Sequence, residues 1–275
     1  MYYADPGTPD ISGLWELAPD ILDRPDYRRW IVDGKVISDT LSLKHGKQAD
    51  GGIGGAPGSD ATLPYTPPYM EVLNRRNKFE EEGNPIAKGS TYCWPPGPVA
   101  VYFTGPQTIV TPKGLLTGNP MSITQTPGRV QVVYAVDEQV RNIYTDGRSH
   151  PDLSEYEPTL QGHSIGHWEG DTLVVDTVGA RKEQTLSSGN EPHSDALHII
   201  ERIRRDEGEL DIHMTIDDAK ALAKPVEMKM RFRARAEPLP EYFCTENNLT
   251  RPDENGFVYT PLMPEKSAGW DLPDD

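Results

Sequence analysis

The stretch Gly-His-Ser-Ile-Gly-His-Trp-Glu-Gly-Asp-Thr-Leu-Val-Val-Asp-Thr, residues 162–177, decides how this chain folds. Glu169-Gly170 separates two runs of alternating character, and a two-residue loop with glycine supplies the positive φ that tight hairpin turns need. Because side chains alternate along a strand, His163 and His167 share one face with the isoleucine between them. The stretch therefore predicts a β-hairpin that carries two imidazoles on the same face.

Two neighbouring segments have the same strand-like alternation. Residues 141–146 place Tyr144 and Asp146 on one face and end at the turn Gly-Arg-Ser-His-Pro, residues 147–151. In residues 198–205, Glu201 lies on the face of two isoleucines, so it is carried inward if they face a core. An inward carboxylate is costly unless it is paired or used, and Glu201 therefore indicates a site.

The wider pattern predicts a mainly β fold. The sequence contains 26 prolines and 25 glycines, which leave little room for long helices. Short alternating strands separated by tight turns follow one another, and residues 226–233 give the strongest signal. We expect an antiparallel barrel or a sandwich. One external helix is expected at about residues 68–82, with Thr66 as its N-cap.

We expect a single β domain with three regions, because no repeat of fixed period and no linker divides the chain. Residues 1–98 form an irregular amino-terminal region that contains the helix and packs on the same core. Residues 99–248 form the antiparallel β-barrel, and residues 249–275 form an irregular carboxyl-terminal tail.

Composition excludes some classes of partner. The net charge of −16 and the pI near 4.8 disfavour nucleic acid and anionic membrane surfaces, which require clustered Lys and Arg. No apolar run is long enough to span a membrane, and the amino terminus lacks the regions of a signal peptide. The chain as written is therefore expected in the cytoplasm, where Cys93 and Cys244 would be reduced thiols, although a long-range disulfide stays open. The sequence also leaves a homo-oligomer open.

Several motifs together resemble a widespread, largely uncharacterised bacterial protein family. They are the central stretch 162–177, Cys-Trp-Pro-Pro-Gly-Pro at 93–98, Gln-Thr-Pro-Gly at 125–128, Ile-Tyr-Thr-Asp-Gly-Arg-Ser-His-Pro at 143–151, Pro-His-Ser-Asp-Ala-Leu-His at 192–198 and Cys-Thr-Glu-Asn at 244–247. The resemblance covers roughly residues 10–250 and implies a lipocalin-like barrel, but no reaction. Many members carry an export signal, so a trimmed signal would imply a periplasmic location.

Polar residues near strand ends suggest acid–base chemistry on a small apolar or aromatic molecule, without a cofactor. His163 and Glu201 would exchange protons with the substrate, Asp146 would orient a histidine, and Arg148 or Tyr144 would stabilise developing negative charge. The dehydratase, cyclase and isomerase reactions belong to this class. Residues expected to contact the substrate are His150, His193, His198, Trp168 and Glu246.

Other interpretations of the same residues compete with this one. Each lone histidine can be purely structural, as we expect for His45 and His213, and the Asp146–Arg148 turn can simply brace a hairpin. A non-catalytic carrier of a small hydrophobic ligand and a metal-dependent hydrolase are the two alternative functions. No metal site is predicted, because no His-x-His or His-Glu-x-x-His motif occurs and the rings of His163 and His167 would lie about 13 Å apart on a strand. Neither Ser164 nor Ser194 lies in a nucleophile elbow.

Overall fold

The computed structural model of the chain describes residues 7–24, 27, 29–39, 63–81, 95–102, 107–111, 114–187 and 190–243. Some of the sequence predictions concern residues outside these ranges, namely both cysteines, His45, Glu246 and the tail 249–275. No helix in the described part of the chain is long and apolar enough to cross a membrane.

The described residues form thirteen β-strands and one α-helix. The strands before the helix are β1 (Gly13–Leu17), β2 (Arg29–Val32) and β3 (Lys35–Asp39), and the helix α1 is Pro67–Glu81. The strands after it are β4 (Gln107–Thr111), β5 (Gly114–Gly118), β6 (Met121–Thr126), β7 (Arg129–Tyr134), β8 (Val140–Tyr144), β9 (His163–Glu169), β10 (Thr172–Val178), β11 (Leu197–Asp206), β12 (Glu209–Asp218) and β13 (Val226–Ala234).

Nine of the strands close into a barrel. Strands β6 to β13 follow one another in chain order, and β1 completes the ring because it pairs with β6 on one side and β13 on the other. Strands β2 and β3 extend the sheet from β13, and β4 with β5 forms a separate hairpin. The predicted mainly β fold with one helix is confirmed, and the closure makes it a barrel rather than a sandwich.

Alternation along the strands fills the barrel interior. In β12 every second residue from Leu210 to Ile216 is at most 1% exposed, and in β13 the same holds from Val226 to Phe232. The residues between them face outward, as the period of two requires. Aromatic side chains such as Trp15 add to the same core. The interior is therefore mainly a packed core, and its few polar side chains stand out against apolar neighbours.

The wall between β8 and β9 is the exception to an otherwise antiparallel barrel. These two strands run parallel, which requires a long connection, here residues 145–162. They pair only at Ile143 with Ser164 and at Tyr144 with Ile165. Residues 140–142 of β8 consequently have no strand partner on the β9 side, and the barrel wall has an opening there.

The predicted hairpin of residues 162–177 is present, with its loop one residue further along. Strand β9 continues to Glu169, and the two-residue loop is Gly170-Asp171. Gly170 has φ of +62°, the left-handed conformation that glycine adopts without strain. On β9, Ser164 is buried on the inner face, whereas His163 and His167 face outward.

Helix α1 starts one residue before the predicted range. Its buried residues Tyr69 and Leu73 belong to the barrel core cluster, and Arg76 reaches the backbone carbonyl of Asn190 at 3.1 Å. Thr66 directly precedes the helix, as predicted for its N-cap; its backbone carbonyl accepts from the Met70 N–H at 2.9 Å, and its hydroxyl donates to the Lys220 carbonyl at 2.8 Å. The helix thus packs on the core and on the segment that precedes β11.

Candidate active site

A buried polar network occupies the inner face of the barrel. The Glu201 carboxylate forms an ion pair with Arg141, and both side chains are essentially inaccessible, at 0% and 1% exposure. Tyr102 donates its hydroxyl to Glu201 at 2.8 Å. Arg141 also donates to Ser164 Oγ at 3.1 Å and to Thr177 Oγ1 at 2.8 Å. The prediction that Glu201 is carried inward is confirmed, and its carboxylate is fully paired.

Electrostatics keep the guanidinium of this network charged. Burial is the largest single effect and disfavours the charged form of Arg141, but the Glu201 charge and hydrogen bond, together with the nearby tyrosine hydroxyls, outweigh it, so the pKa of Arg141 lies well above its usual range. Burial, with the nearby Glu201 charge, likewise raises the pKa of Tyr102. Arg141 and Tyr102 both hold their protons tightly near neutral pH, which suits a structural role rather than proton exchange.

The prediction that His163 and Glu201 meet in one pocket is wrong. Ser164, the next residue after His163, bonds the inner network through Arg141. Because successive side chains on a strand point to opposite faces, His163 lies on the outer face, across the barrel wall from Glu201. Alternation placed each residue correctly within its own strand, but it did not tell which face of β9 was the inner one.

A chain of hydrogen-bonded imidazoles and a carboxylate lies on the outer face. His150, in the long β8–β9 connection, places its Nδ1 atom 2.9 Å from Nδ1 of His163. The other ring nitrogen of His150, Nε2, lies 3.2 Å from Oδ1 of Asp176. His198 Nε2, from β11, lies 2.9 Å from the same oxygen. Three strands and one loop therefore meet around Asp176.

The Asp176 carboxylate determines the tautomers of His150 and His163. Asp176 can only accept a hydrogen bond when ionised, so the Nε2 atom of His150 carries the proton. In neutral His150, Nδ1 is then an acceptor, and His163 must donate from its own Nδ1. The proton of neutral His163 therefore sits on Nδ1, and its Nε2 keeps a lone pair. No described residue hydrogen-bonds to that Nε2 atom.

Aromatic and cationic groups surround the His163 ring. Tyr144 stacks on it, with ring centroids 5.5 Å apart, and Tyr156 meets it edge-on at 6.0 Å. The Arg148 guanidinium lies 3.8 Å from the centre of the Tyr144 ring. Burial, the nearby His150 and the charge of Arg148 together lower the pKa of His163 from its ordinary value of 6.5. His163 is therefore largely neutral at neutral pH, the form that accepts a proton.

His163 lines a cleft of about 540 Å³ that coincides with the opening between β8 and β9. Its walls come from residues 139–142, Tyr144, residues 156–164 and Arg181. Arg141 and Ser164 lie at the inner side of the cleft. The volume falls in the range of small-molecule sites.

Several predicted residues have different surroundings from those expected. Asp146 does not orient a histidine among the described residues, because Arg148 takes its carboxylate in a bidentate pair, and this pairing lowers the pKa of Asp146. His193 is buried away from the cleft, with Nδ1 donating to the Ser194 carbonyl at 2.9 Å. Trp168 packs against the core from the inner face of β9. His198 joins the site through Asp176.

Sequence reasoning missed Asp176, Tyr156 and Arg141. Asp176 lies in the central stretch, and the hairpin register puts it on the face of His163, so register could have identified it. Alternation in residues 141–146 puts Arg141 on the face opposite Tyr144, but its pairing with Glu201 depends on the closed barrel. Tyr156 lies in an irregular loop, where alternation gives no signal.

The outer cluster offers a metal ion two facing nitrogens, Nδ1 of His150 and Nδ1 of His163. A zinc site with a stable geometry needs three or four protein ligands. In the described ranges no group of three or more His, Cys, Asp or Glu residues has the arrangement of a metal site. His163, His150, Asp176 and His198 form a chain of hydrogen bonds.

Comparison with known proteins adds no assignment to this geometry. The chain matches none of the known protein-family profiles. None of the functionally characterised proteins is significantly similar to it in sequence.

Proposed function

We propose that this protein is a cofactor-free acid–base enzyme of the lyase or isomerase class, working on a small apolar or aromatic molecule in the cleft between β8 and β9. The observation that carries the proposal is His163 Nε2. It keeps a lone pair, has no hydrogen-bond partner in the described part of the chain, and belongs to a ring that lines the cleft. The site differs from the predicted one, since the base acts on the outer wall without Glu201.

The neighbouring residues support this role for His163. When Nε2 takes a proton, the positive charge is shared along the hydrogen bond to His150 and lies close to the Asp176 carboxylate. Asp176 and His150 are thus positioning residues that hold one tautomer. The Tyr144 hydroxyl has no hydrogen bond to a described residue, so it can donate to an oxygen that becomes negative during the reaction.

The proposed reaction conserves protons within the site. His163 Nε2 removes a proton from a carbon next to a carbonyl group, and the C–H electron pair moves into an enolate. In an isomerisation the imidazolium returns the proton to a neighbouring carbon. In a dehydration the electron pair forms a C=C bond as a β-hydroxyl leaves, and that hydroxyl takes the proton to become water. Neither route needs an oxidant or a reductant.

A carrier of small hydrophobic ligands is less consistent with the same features. A carrier would enclose a dry apolar cavity whose histidines are all satisfied. The inner face instead carries the Arg141–Glu201 pair, and the cleft is open and polar at His163. We also propose that the chain belongs to the uncharacterised bacterial family that its motifs resemble, and that its closed barrel is related to lipocalins.

Deuterium exchange tests the proposal. Small carbonyl compounds with apolar or aromatic substituents are incubated with the protein in D₂O, and NMR follows loss of the C–H signals next to the carbonyl. His163→Gln should abolish exchange. His167→Gln is the matched control, because His167 lies on the same face of β9 and is 66% exposed with Glu169 as its partner. Full exchange in folded His163→Gln protein would remove the assignment.

Diethyl pyrocarbonate gives a second readout that needs no substrate. It acylates unprotonated imidazole nitrogens, and the free Nε2 of His163 should react faster than either nitrogen of His150, both of which are hydrogen-bonded. Peptide mass spectrometry identifies the acylated residue. Preferential acylation of His150 would contradict the tautomer assignment on which the proposal depends.

A further inference from the structure

The cleft contains an arginine whose charge the described residues do not neutralise. Arg181 is exposed and donates its Nε to the Pro158 carbonyl at 3.0 Å, which fixes the side chain along the loop 156–162. Its backbone N–H is also held, by the Thr159 carbonyl at 3.0 Å. Within the described residues no carboxylate pairs with Arg181, so its two terminal nitrogens remain available.

This arrangement contrasts with other arginines of the barrel. Arg141 pairs with Glu201, Arg148 with Asp146, and Arg231 with Asp211. The whole chain carries 43 acidic residues against 27 Lys and Arg, so acidic partners are in excess. A guanidinium held by its Nε at the wall of a cleft, with both terminal nitrogens unpaired among the described residues, presents the planar fork that matches a carboxylate.

Two glutamines add a second, independent feature of the cleft wall. Gln139 and Gln161 are only 8% and 7% exposed, and both donate their amide nitrogen to the Pro96 carbonyl, at 2.9 and 2.8 Å. A carbonyl can only accept, so the amide nitrogens must face it. The side-chain oxygens of both glutamines have no hydrogen-bond donor in the described part of the chain. Both oxygens are closed to solvent, so a ligand hydroxyl reaches one of them only when that glutamine side chain turns toward the cleft, which relieves the cost of the unpaired acceptor.

We propose that the cleft binds a hydroxylated monocarboxylate with an apolar or aromatic body: Arg181 takes the carboxylate, a hydroxyl donates to Gln139 or Gln161, and the Tyr144 and Tyr156 rings contact the body. Glu157 also lines the cleft, has no cationic partner among the described residues, and would repel a second negative charge. A single carboxylate therefore fits better than a phosphate dianion. The inference rests on the proposed function in taking the cleft beside His163 as the substrate site.

Binding of three related probes tests the inference. They are 3-hydroxy-3-phenylpropanoate, 3-phenylpropanoate, which lacks the hydroxyl, and 3-hydroxy-3-phenylpropanamide, which lacks the charge. NMR titration of ¹⁵N-labelled protein follows the amides of residues 156–164 and Arg181 Nε. The hydroxy acid should bind most tightly, with the amide weaker by about tenfold or more, as expected for loss of a charge-assisted bidentate contact. Equal affinity for the acid and the amide, or shifts confined to other parts of the barrel, would overturn the proposal.

Variants test whether the charge of Arg181 is responsible for binding of the hydroxy acid. Arg181→Gln should weaken the hydroxy acid by about tenfold and leave the amide unchanged. Lys35→Gln is the matched control, because Lys35 is an exposed cation on β3 without an ion pair in the described ranges. If Arg181→Gln does not fold, Glu157→Gln still decides the matter, since removing the opposing charge should tighten binding of the hydroxy acid. Unchanged binding in Glu157→Gln and in folded Arg181→Gln would contradict the inference.

The same variants distinguish this inference from the proposed function. Loss of probe discrimination in Arg181→Gln, together with full exchange activity in His163→Gln, supports the ligand class and rejects the acid–base role. Loss of exchange in His163→Gln, together with equal binding of acid and amide, supports the acid–base role and rejects the ligand class.

Discussion

Replacing Glu201 by glutamine distinguishes a structural carboxylate from a catalytic one. The substitution keeps the shape of the side chain and removes its charge. The new side-chain amide cannot accept from Arg141 with both terminal atoms, and its NH₂ group would direct hydrogens at the guanidinium. A catalytic Glu201 would lose turnover in a stable protein. The buried ion pair predicts instead a large loss of stability.

The magnitude follows from burial. The side chains of Arg141 and Glu201 are 1% and 0% exposed, so no solvent can compensate the guanidinium once its partner is neutral. Breaking such a buried pair by removing one charge costs about 3–5 kcal/mol. In a domain of this size each kcal/mol lowers the melting temperature by roughly 2–4 °C, so Glu201→Gln should melt about 10 °C lower than the wild type.

Urea denaturation followed by circular dichroism measures the free energy of unfolding directly. Glu169→Gln is the matched control, since Glu169 pairs with Arg202 at 2.8 Å but is 48% exposed, and surface pairs contribute about 0–1 kcal/mol. Replacing Arg141 and Glu201 together by methionine should cost less than Glu201→Gln alone, because no unpaired charge remains. A loss below about 1 kcal/mol in Glu201→Gln would refute the reasoning, since the cost of an uncompensated buried charge would then be absent.

Three further predictions concern the outer site and the turn before it. The pKa of His163 is lowered in the folded protein, so the unfolded chain binds a proton at His163 more readily. The stability of the wild type should therefore fall as the pH drops through 6.5, the ordinary pKa of histidine. The melting temperature of His163→Gln should decline less over the same pH range. In Asp176→Asn no carboxylate fixes the tautomers of His150 and His163, so ¹⁵N NMR should detect both neutral forms of His163, where the wild type shows only the Nδ1–H form. A single tautomer of His163 in the variant would contradict the tautomer assignment. Gly162→Ala should destabilise the protein by at least about 2 kcal/mol more than Gly147→Ala in denaturant titrations. Both glycines have positive φ. A Cβ at Gly162 would lie 2.6 Å from the Val178 carbonyl oxygen, whereas a Cβ at Gly147 would meet nothing within 4 Å.

The strand pattern predicted a mainly β fold, a barrel or a sandwich, because its strands alternate cleanly. Residues 226–233 and 210–216 bury every second side chain as their sequence indicates, and the same rule carried Glu201 inward between Ile199 and Ile203. Closure of β1 on β13 could not be read from local pattern, because it joins Gly13–Leu17 to residues more than two hundred positions away.

The orientation of β9 is where alternation reached its limit. One face carries His163, Ile165 and His167, and the other carries Ser164, Gly166 and Trp168, so neither face is plainly apolar. The side chains inside the barrel resolve the choice, since Arg141 needs the Ser164 hydroxyl and Trp168 packs on the core. These contacts join β9 to residues of other strands, so the sequence of β9 alone does not predict which of its faces points inward.

The predicted role of Asp146 shows the same limit on a smaller scale. The sequence places an aspartate four residues before His150, but Arg148 lies closer along the turn and takes both carboxylate oxygens. Asp176 then provides the carboxylate for the histidines, from the partner strand of the hairpin. Arg148 occupies the nearer carboxylate, so the more distant one is left for the site.

The buried network and the outer cleft both lie where β8 meets β9. The parallel strands β8 and β9 share only two paired positions, so the backbone ladder alone holds them poorly. Arg141 of β8 compensates from inside, because it bonds Ser164 of β9, Thr177 of β10 and Glu201 of β11 and so ties four consecutive strands together. The barrel therefore stays closed even though residues 140–142 of β8 do not pair with β9. The charged pair inside the barrel thus connects the strands on the inner side of the wall whose outer side carries the cleft beside His163.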